Sequence, residues 1–94
     1  MKIVWTVPAQ HDFGRIDDFH AAHDPEFAHR AGLLALQSGR FPAEHPHAGA
    51  QVGDGVRKCH VERTSYVLPY RIDGDEVQIL RVRHARKDWR DRAE

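Results

Sequence analysis

The chain has 94 residues, 40% of them apolar and 30% charged, which is enough for one hydrophobic core and too little for two. Its single cysteine excludes an internal disulfide, and no apolar run approaches the roughly 20 residues of a membrane span. The N-terminus lacks the apolar stretch of a signal peptide, so we expect a single cytoplasmic domain over residues 1–94.

The net charge is zero, but the charges are unevenly distributed along the chain. Residues 1–54 carry four basic and seven acidic side chains, a net charge of −3. Residues 55–94 carry ten basic and seven acidic side chains, a net charge of +3. A basic C-terminal part indicates an anionic partner, because such polarity steers encounters; two solvated faces of opposite sign are the alternative.

The first part of the chain predicts a strand followed by two helices. Residues 2–6 are mostly β-branched and aromatic, which favours a strand. Residues 8–23 predict an amphipathic helix, since one face repeats at spacings of three and four: Ala9, Phe13, Ile16, Phe19 and His23. Asp24 can then cap a second helix that has Pro25 in its first turn and ends at Ser38 and Gly39. So short a break predicts a helical hairpin.

The middle of the chain carries no periodic pattern. Residues 40–55 are rich in Pro, Gly, Ala and His, and we predict a long surface loop without a helix. A loop of this length in a small domain is often a binding segment or one that a partner orders.

The C-terminal part predicts three strands, at residues 56–63, 66–72 and 76–84. The last two are joined by Asp73-Gly74, the strongest short-range signal for a β-hairpin. Alternation places one set of side chains towards the core: Tyr66, Leu68, Tyr70 and Ile72. Pro69 lacks a ladder donor, so we expect a bulge or an unpaired position there.

The order of elements is therefore β-α-α-β-β-β. It predicts an α+β domain in which a helical hairpin packs on one face of an antiparallel sheet. The charged tail is expected to fray beyond Trp89.

Several segments of the sequence resemble the RelE/ParE superfamily of toxins from bacterial type II toxin–antitoxin modules, and the ParE branch most closely. The specific ones are the strand VRKCHV, the hairpin SYVLPYRIDGDEVQILRVRH and the ending RHARKDW. DPEFAHRA and HPHAGA lie where the family has an "NP..A..R" opening and a "P..G" loop. The resemblance implies the family's fold and a cognate antitoxin whose C-terminal segment wraps the helical hairpin and sheet.

The two branches of the superfamily act differently. RelE-like members cleave messenger RNA on the ribosome, which requires a base, an acid and cations at the phosphate. ParE-like members poison DNA gyrase without hydrolytic chemistry. RelE-like toxins have an Arg directly after the first Tyr of the hairpin, where this chain has Val67. They often also have an aromatic hydroxyl near the C-terminus, whereas no Tyr follows Tyr70 in this chain. The resemblance therefore favours inhibition of gyrase.

Two alternatives remain open. One is a ribosome-dependent endoribonuclease with His84 as the base and, on the phosphate, Arg81, Arg83 or Arg86. The other is a binding module that retains the fold without toxicity. We expect no cofactor and no metal site, because eight His residues and one Cys form no closed four-ligand pattern in the sequence.

The candidate residues for binding a target or partner lie in the basic C-terminal part: Arg57, Arg71, Arg81, Arg83, His84, Arg86, Lys87 and Trp89. Arg71, Arg81 and Arg83 are expected on one side of adjacent strands, together with Arg57 if the register permits. Like charges are unfavourable there unless a ligand or counter-charge offsets them. Structural roles are the alternative: Arg57 paired with Glu62 or Asp75, His84 satisfied by backbone, and Trp89 closing the core. Cys59 is expected to be a small buried side chain.

Overall fold

Residues 1–85 are described by a computed structural model of the chain. The chain begins with the strand β1 (Lys2–Trp5), which three helices follow: α1 (Val7–His23), α2 (Pro25–Ser38) and the short α3 (Phe41–Glu44). The strands that follow are β2 (Ala50–Gly53), β3 (Val56–His60), β4 (Tyr66–Asp73), β5 (Glu76–Ile79) and β6 (Arg83–His84). The predicted α+β class, with a helical hairpin on a largely antiparallel sheet, is confirmed.

Both long helices begin where the sequence predicts. The Thr6 hydroxyl accepts a hydrogen bond from the Ala9 N–H at 3.4 Å, and Pro8 lies in the first turn of α1. The Asp24 carboxylate accepts from the Phe27 N–H at 3.1 Å, so it caps α2. Each cap satisfies a donor that the first helical turn leaves without an intrahelical partner.

The strands form one sheet in the order β1-β5-β4-β3-β2, with β6 paired to β4 beyond the end of β5. β1 runs parallel to β5, and every other pair is antiparallel. β1 therefore forms one edge of the sheet. The two helices then carry the chain from this edge to β2 at the opposite edge, so that β1 and β5 are not joined directly.

The core lies between the helices and one face of β4. Leu68 and Tyr70 are fully buried there and pack in one cluster with Ala9 and Ala35 of the helices, as the alternation predicts. The prediction for Phe19 is wrong, since its side chain is 61% exposed. The packed face of α1 continues from Ile16 to His20, which contacts Tyr66 of β4, so Phe19 and the equally predicted His23 are exposed and their rings contact each other.

The last predicted strand is interrupted rather than continuous. β5 ends at Ile79, and the chain rejoins β4 only at β6. Pro69 faces this interruption. Its carbonyl accepts the Leu80 N–H at 2.8 Å. Because the N and C=O of one strand residue point to the same side, the Pro69 nitrogen, which has no hydrogen to donate, also faces the chain after β5. Of the bulge or unpaired position expected at Pro69, the structure has an irregularity in the facing chain: β5 ends one residue before the position opposite Pro69, while Pro69 itself is paired with Lys58 of β3.

The prediction of a structureless loop at residues 40–55 is wrong. The segment forms α3 and β2, and β2 joins β3 through a tight turn of three residues with positive φ: Gly53, Asp54 and Gly55. Between α3 and β2 the chain is held by the core. The Tyr70 hydroxyl donates to the Pro46 carbonyl at 2.9 Å and accepts from the Gly49 N–H at 3.1 Å.

Replacing either of two glycines by alanine should change the free energy of unfolding, in opposite directions at the two positions. Gly14 lies within α1, and a Cβ there meets no atom within 4 Å, so Gly14→Ala should raise the free energy of unfolding by about 0.5–1 kcal/mol. At Gly49 a Cβ would clash with the Tyr70 hydroxyl and lie 2.7 Å from the Lys58 carbonyl. Gly49→Ala should therefore lower the free energy of unfolding by about 1–3 kcal/mol. Urea unfolding measures both, and equal effects would contradict the packing at Gly49.

Candidate functional site

The predicted site is centred on the segment that follows β5, residues 81–85, which we call the exit segment. It leaves the sheet at the end of β5, passes along α1 and returns to β4 as β6. The Ala85 N–H then donates to the Ser65 carbonyl at 2.6 Å. The exit segment is therefore attached to the fold at both of its ends.

A buried carboxylate holds the start of the exit segment. Asp12 of α1 is only 2% exposed, and its oxygens accept from Arg81 Nε at 2.7 Å and Arg81 Nη2 at 2.9 Å. A third bond, 3.0 Å long, comes from the backbone N–H of Val82. The exposed Arg15 donates to the same carboxylate at 2.8 Å from one turn further along α1. Asp12 thus binds the side chain of one exit residue and the backbone of the next.

The electrostatics of this carboxylate follow from its contacts. Burial alone would raise the pKa of Asp12, because it disfavours the charged form. The hydrogen bonds from Arg81 and from the Val82 N–H, together with the charge of Arg81, outweigh burial and bring the pKa below its ordinary value of 3.8. The side chain is therefore ionised at neutral pH, and its charge offsets that of Arg81.

A group of aromatic and imidazole rings lies against the other end of the exit segment. The ring of His84 is 5.6 Å from that of Tyr66, the residue opposite it on β4. The Tyr66 hydroxyl is 3.1 Å from Nε2 of His20 in α1. The His20 ring also packs against Phe27 of α2, with ring centres 4.9 Å apart. His84 is thereby connected through Tyr66 to the helical hairpin.

The predicted single basic surface is not what the register produces. Arg57 stands opposite Tyr70, which faces the helices, whereas Arg71 stands opposite Gln78 on the other face of the sheet. Arg83 shares the face of Arg71, because it is paired with Val67, four residues before Arg71 on β4 and so about 13 Å away. Arg81 turns to α1. The arginines were expected on one side, and they separate because alternation and the interruption after β5 assign them to different faces.

Arg57 also has a different partner from those expected. Its Nη1 donates to the carbonyls of His47 at 3.0 Å and Gly49 at 2.8 Å, rather than to Glu62 or Asp75. It therefore supports the segment between α3 and β2. Three candidates, Arg86, Lys87 and Trp89, and the expected fraying of the tail lie outside the described residues.

Asp12 was missed by the sequence analysis, although a signal for it exists. Ala9, Asp12, Phe13 and Ile16 occupy positions i, i+3, i+4 and i+7 of α1, which is the spacing of the helix face that packs on the sheet. An acidic residue on that stripe indicates a buried partner, since an unpaired buried charge is strongly unfavourable.

Cys59 packs against the core as a half-buried side chain, where a buried one was expected. Burial raises the pKa of its thiol to about 11, so the side chain is protonated at neutral pH, and its sulfur lies 3.8 Å from the Ser38 carbonyl.

Within residues 1–85, no three His, Cys, Asp or Glu side chains are grouped so that they could share a metal ion. Over the same residues, neither α1 nor any other helix is long and apolar enough to cross a membrane.

The ionised carboxylate predicts a specific dependence of stability on pH. The pKa of Asp12 is lower in the folded chain than its ordinary value, so the unfolded chain takes up the proton first as the pH falls. The advantage of the wild type over Asp12→Asn should therefore be constant from pH 7 to about pH 5 and shrink below about pH 4. Urea unfolding of both proteins across this range measures it. A difference that stays constant down to pH 2.5 would contradict an ionised, hydrogen-bonded Asp12.

Comparison with known proteins identifies the family. Residues 3–89 match the sequence model of the ParE toxin of the type II toxin–antitoxin system parDE. The chain is 31% identical over 84 residues to "Toxin RelE2" of Caulobacter vibrioides, covering 89% of this chain and 94% of that protein. It is also similar to a chain of the chromosomal ParDE system from P. aeruginosa, with a TM-score of 0.77 and 30% identity over 89% of this chain and 95% of that one. The chain therefore belongs to the ParE toxin family, as the toxin component of a type II toxin–antitoxin module whose protein partner is an antitoxin.

Proposed function

We propose that this toxin inhibits DNA gyrase and that its cognate antitoxin keeps it inactive. The observation that carries the proposal is the engagement of Arg81 by Asp12. Cleavage of RNA needs cations free to stabilise charge developing on the phosphate. The charge of Arg81 is offset within the fold by a buried carboxylate.

The position after Tyr66 supports the same function. RelE-like toxins resemble one another in having an Arg there, and in this chain Val67 is a buried apolar residue. Two of the cations that an endoribonuclease would use are thus replaced or engaged. The exit segment presents Arg83 and His84, both partly exposed, on opposite faces of β6, and a basic side chain at this position suits binding to an acidic protein surface.

One observation favours the endoribonuclease as a second candidate. His84, Tyr66 and His20 place two imidazoles and a phenol in a chain of contacts, and these are the side chains that serve as general acids and bases. In that function His84 would be the base and Arg83 would bind the phosphate. The name of the Caulobacter vibrioides relative, "Toxin RelE2", agrees with this branch.

The helical hairpin supports a role for the antitoxin as a covering segment. Several large apolar side chains of the two helices are exposed there: Phe19, Leu33 and Leu36. Exposed apolar residues of this kind suit a partner that orders on binding and covers a long surface. We propose that the antitoxin's C-terminal segment occupies this surface.

Expression of the toxin alone and together with its antitoxin tests the proposed function. We expect growth to arrest without the antitoxin and to recover with it. The purified toxin should inhibit gyrase supercoiling and leave messenger RNA intact in primer extension. Arg83→Ala should weaken inhibition, whereas Arg30→Ala, an exposed basic residue of α2, should not. Cuts at the ribosomal A site would establish the endoribonuclease instead, and unchanged growth would indicate the non-toxic binding module.

A further inference from the structure

The register of the sheet reveals one extra residue between β5 and β6. On β5, Ile79 stands opposite Tyr70, so an uninterrupted strand would place Val82 opposite Val67 and Arg83 opposite Tyr66. The structure instead pairs Arg83 with Val67 and His84 with Tyr66. Three residues, 80–82, therefore oppose only two on β4, Leu68 and Pro69. This is a β-bulge, which inserts a residue into one strand of an antiparallel pair.

The bulge decides which face displays each exit residue. Side chains alternate along a strand, so a shift of one residue exchanges the two faces. With the bulge, Arg83 shares the face of Val67, away from the helices, and His84 shares the face of Tyr66, towards them. Without it, Arg83 would point towards α1 and His84 away from it. The continuous strand that the sequence suggests would thus present the reverse arrangement.

We propose that Asp12 is a positioning residue for target binding: it fixes this bulge and thereby the faces on which Arg83 and His84 are presented. Its carboxylate binds the bulged segment at two consecutive residues, through the Arg81 guanidinium and the Val82 backbone N–H. A contact with a backbone N–H fixes the path of the chain as well as a side chain. The proposal rests on the proposed function only in taking the exit segment as the surface that binds the target.

A second contact from α1 supports this role. His20 lies eight residues after Asp12, about 12 Å along the helix, and its ring contacts Tyr66, the partner of His84. Arg81 and His84 are three residues apart, about 10 Å in extended chain. The same helix therefore contacts the start of the exit segment directly and its end through Tyr66. α1 acts as a template along the length of the segment.

Three variants separate positioning from simple stabilisation. Asp12→Ala removes the carboxylate and leaves Arg81 unpaired by it. The double variant D12L/R81L replaces both partners by apolar side chains, a change that often restores the stability of a broken buried pair without restoring its geometry. Arg15→Ala is the matched control, because the Arg15 side chain is 72% exposed and donates to the same carboxylate from α1 itself.

Amide hydrogen exchange reports the position of the exit segment without any target. Exchange of the Ala85 N–H, which is bonded to the Ser65 carbonyl, should accelerate by about tenfold or more in Asp12→Ala and in the double variant. Exchange of the Gly49 N–H, bonded to Tyr70 far from the exit segment, should not accelerate in the double variant once stability is restored. Arg15→Ala should match the wild type at both amides.

Gyrase supercoiling provides the second readout. The toxin concentration for half-inhibition should rise by about tenfold or more in Asp12→Ala and stay raised in the double variant. If the double variant regained wild-type exchange at Ala85 and wild-type inhibition together with the wild-type melting temperature, the proposal would be overturned. Asp12 would then only stabilise the fold. Wild-type exchange at Ala85 in Asp12→Ala, which has no side-chain acceptor, would overturn it as well. A wild type without effect on gyrase contradicts the proposed function, and exchange at Ala85 then decides whether Asp12 positions the segment.

Discussion

The contact between Asp12 and the residues after β5 joins α1 to the segment that leaves the sheet. Taking a carboxylate and a guanidinium out of water is unfavourable by several kcal/mol unless hydrogen bonds complete their shells. Here two bonds from Arg81 and one from the Val82 backbone satisfy the carboxylate, and Arg15 adds a fourth. Apolar packing brings α1 onto the sheet, and this directional contact joins the Thr6 hydroxyl, which donates to the Ile79 and Leu80 carbonyls, in holding the start of α1 at the end of β5.

This arrangement changes the role of the most conspicuous basic residue. Arg81 belongs to a run of Arg and His that the sequence presents as a surface for a nucleic acid or an acidic partner. The fold uses it internally, and in the proposed function target binding is assigned to Arg83 and His84, which follow the bulge on opposite faces of β6. A toxin that binds gyrase needs such side chains held in fixed places more than it needs an activated base.

The elements that local chemistry specifies are those the sequence predicts well. Asp24 with Pro25 begins α2, and Asp73-Gly74 makes the hairpin, because each signal acts within a few residues. The hairpin of β2 and β3 carries a similar signal at Asp54-Gly55, but the weak alternation of β2 concealed it. The bulge is beyond local pattern, since residues 76–84 alternate as a continuous strand would. What breaks that strand is a carboxylate some 70 residues earlier, and long-range partners of this kind leave no periodic trace.

A double-mutant cycle between Asp12 and Arg81, followed by urea unfolding at pH 7, measures the strength of the contact between α1 and the exit segment. The cycle between Asp12 and Arg15 serves as its reference, because the same carboxylate is paired there with a largely exposed cation. We predict a coupling free energy of about 2 kcal/mol for Asp12 and Arg81, and below about 0.5 kcal/mol for Asp12 and Arg15. Equal coupling in the two cycles would contradict the account, since Arg81 would then be one more surface cation and the path of the exit segment would need another cause.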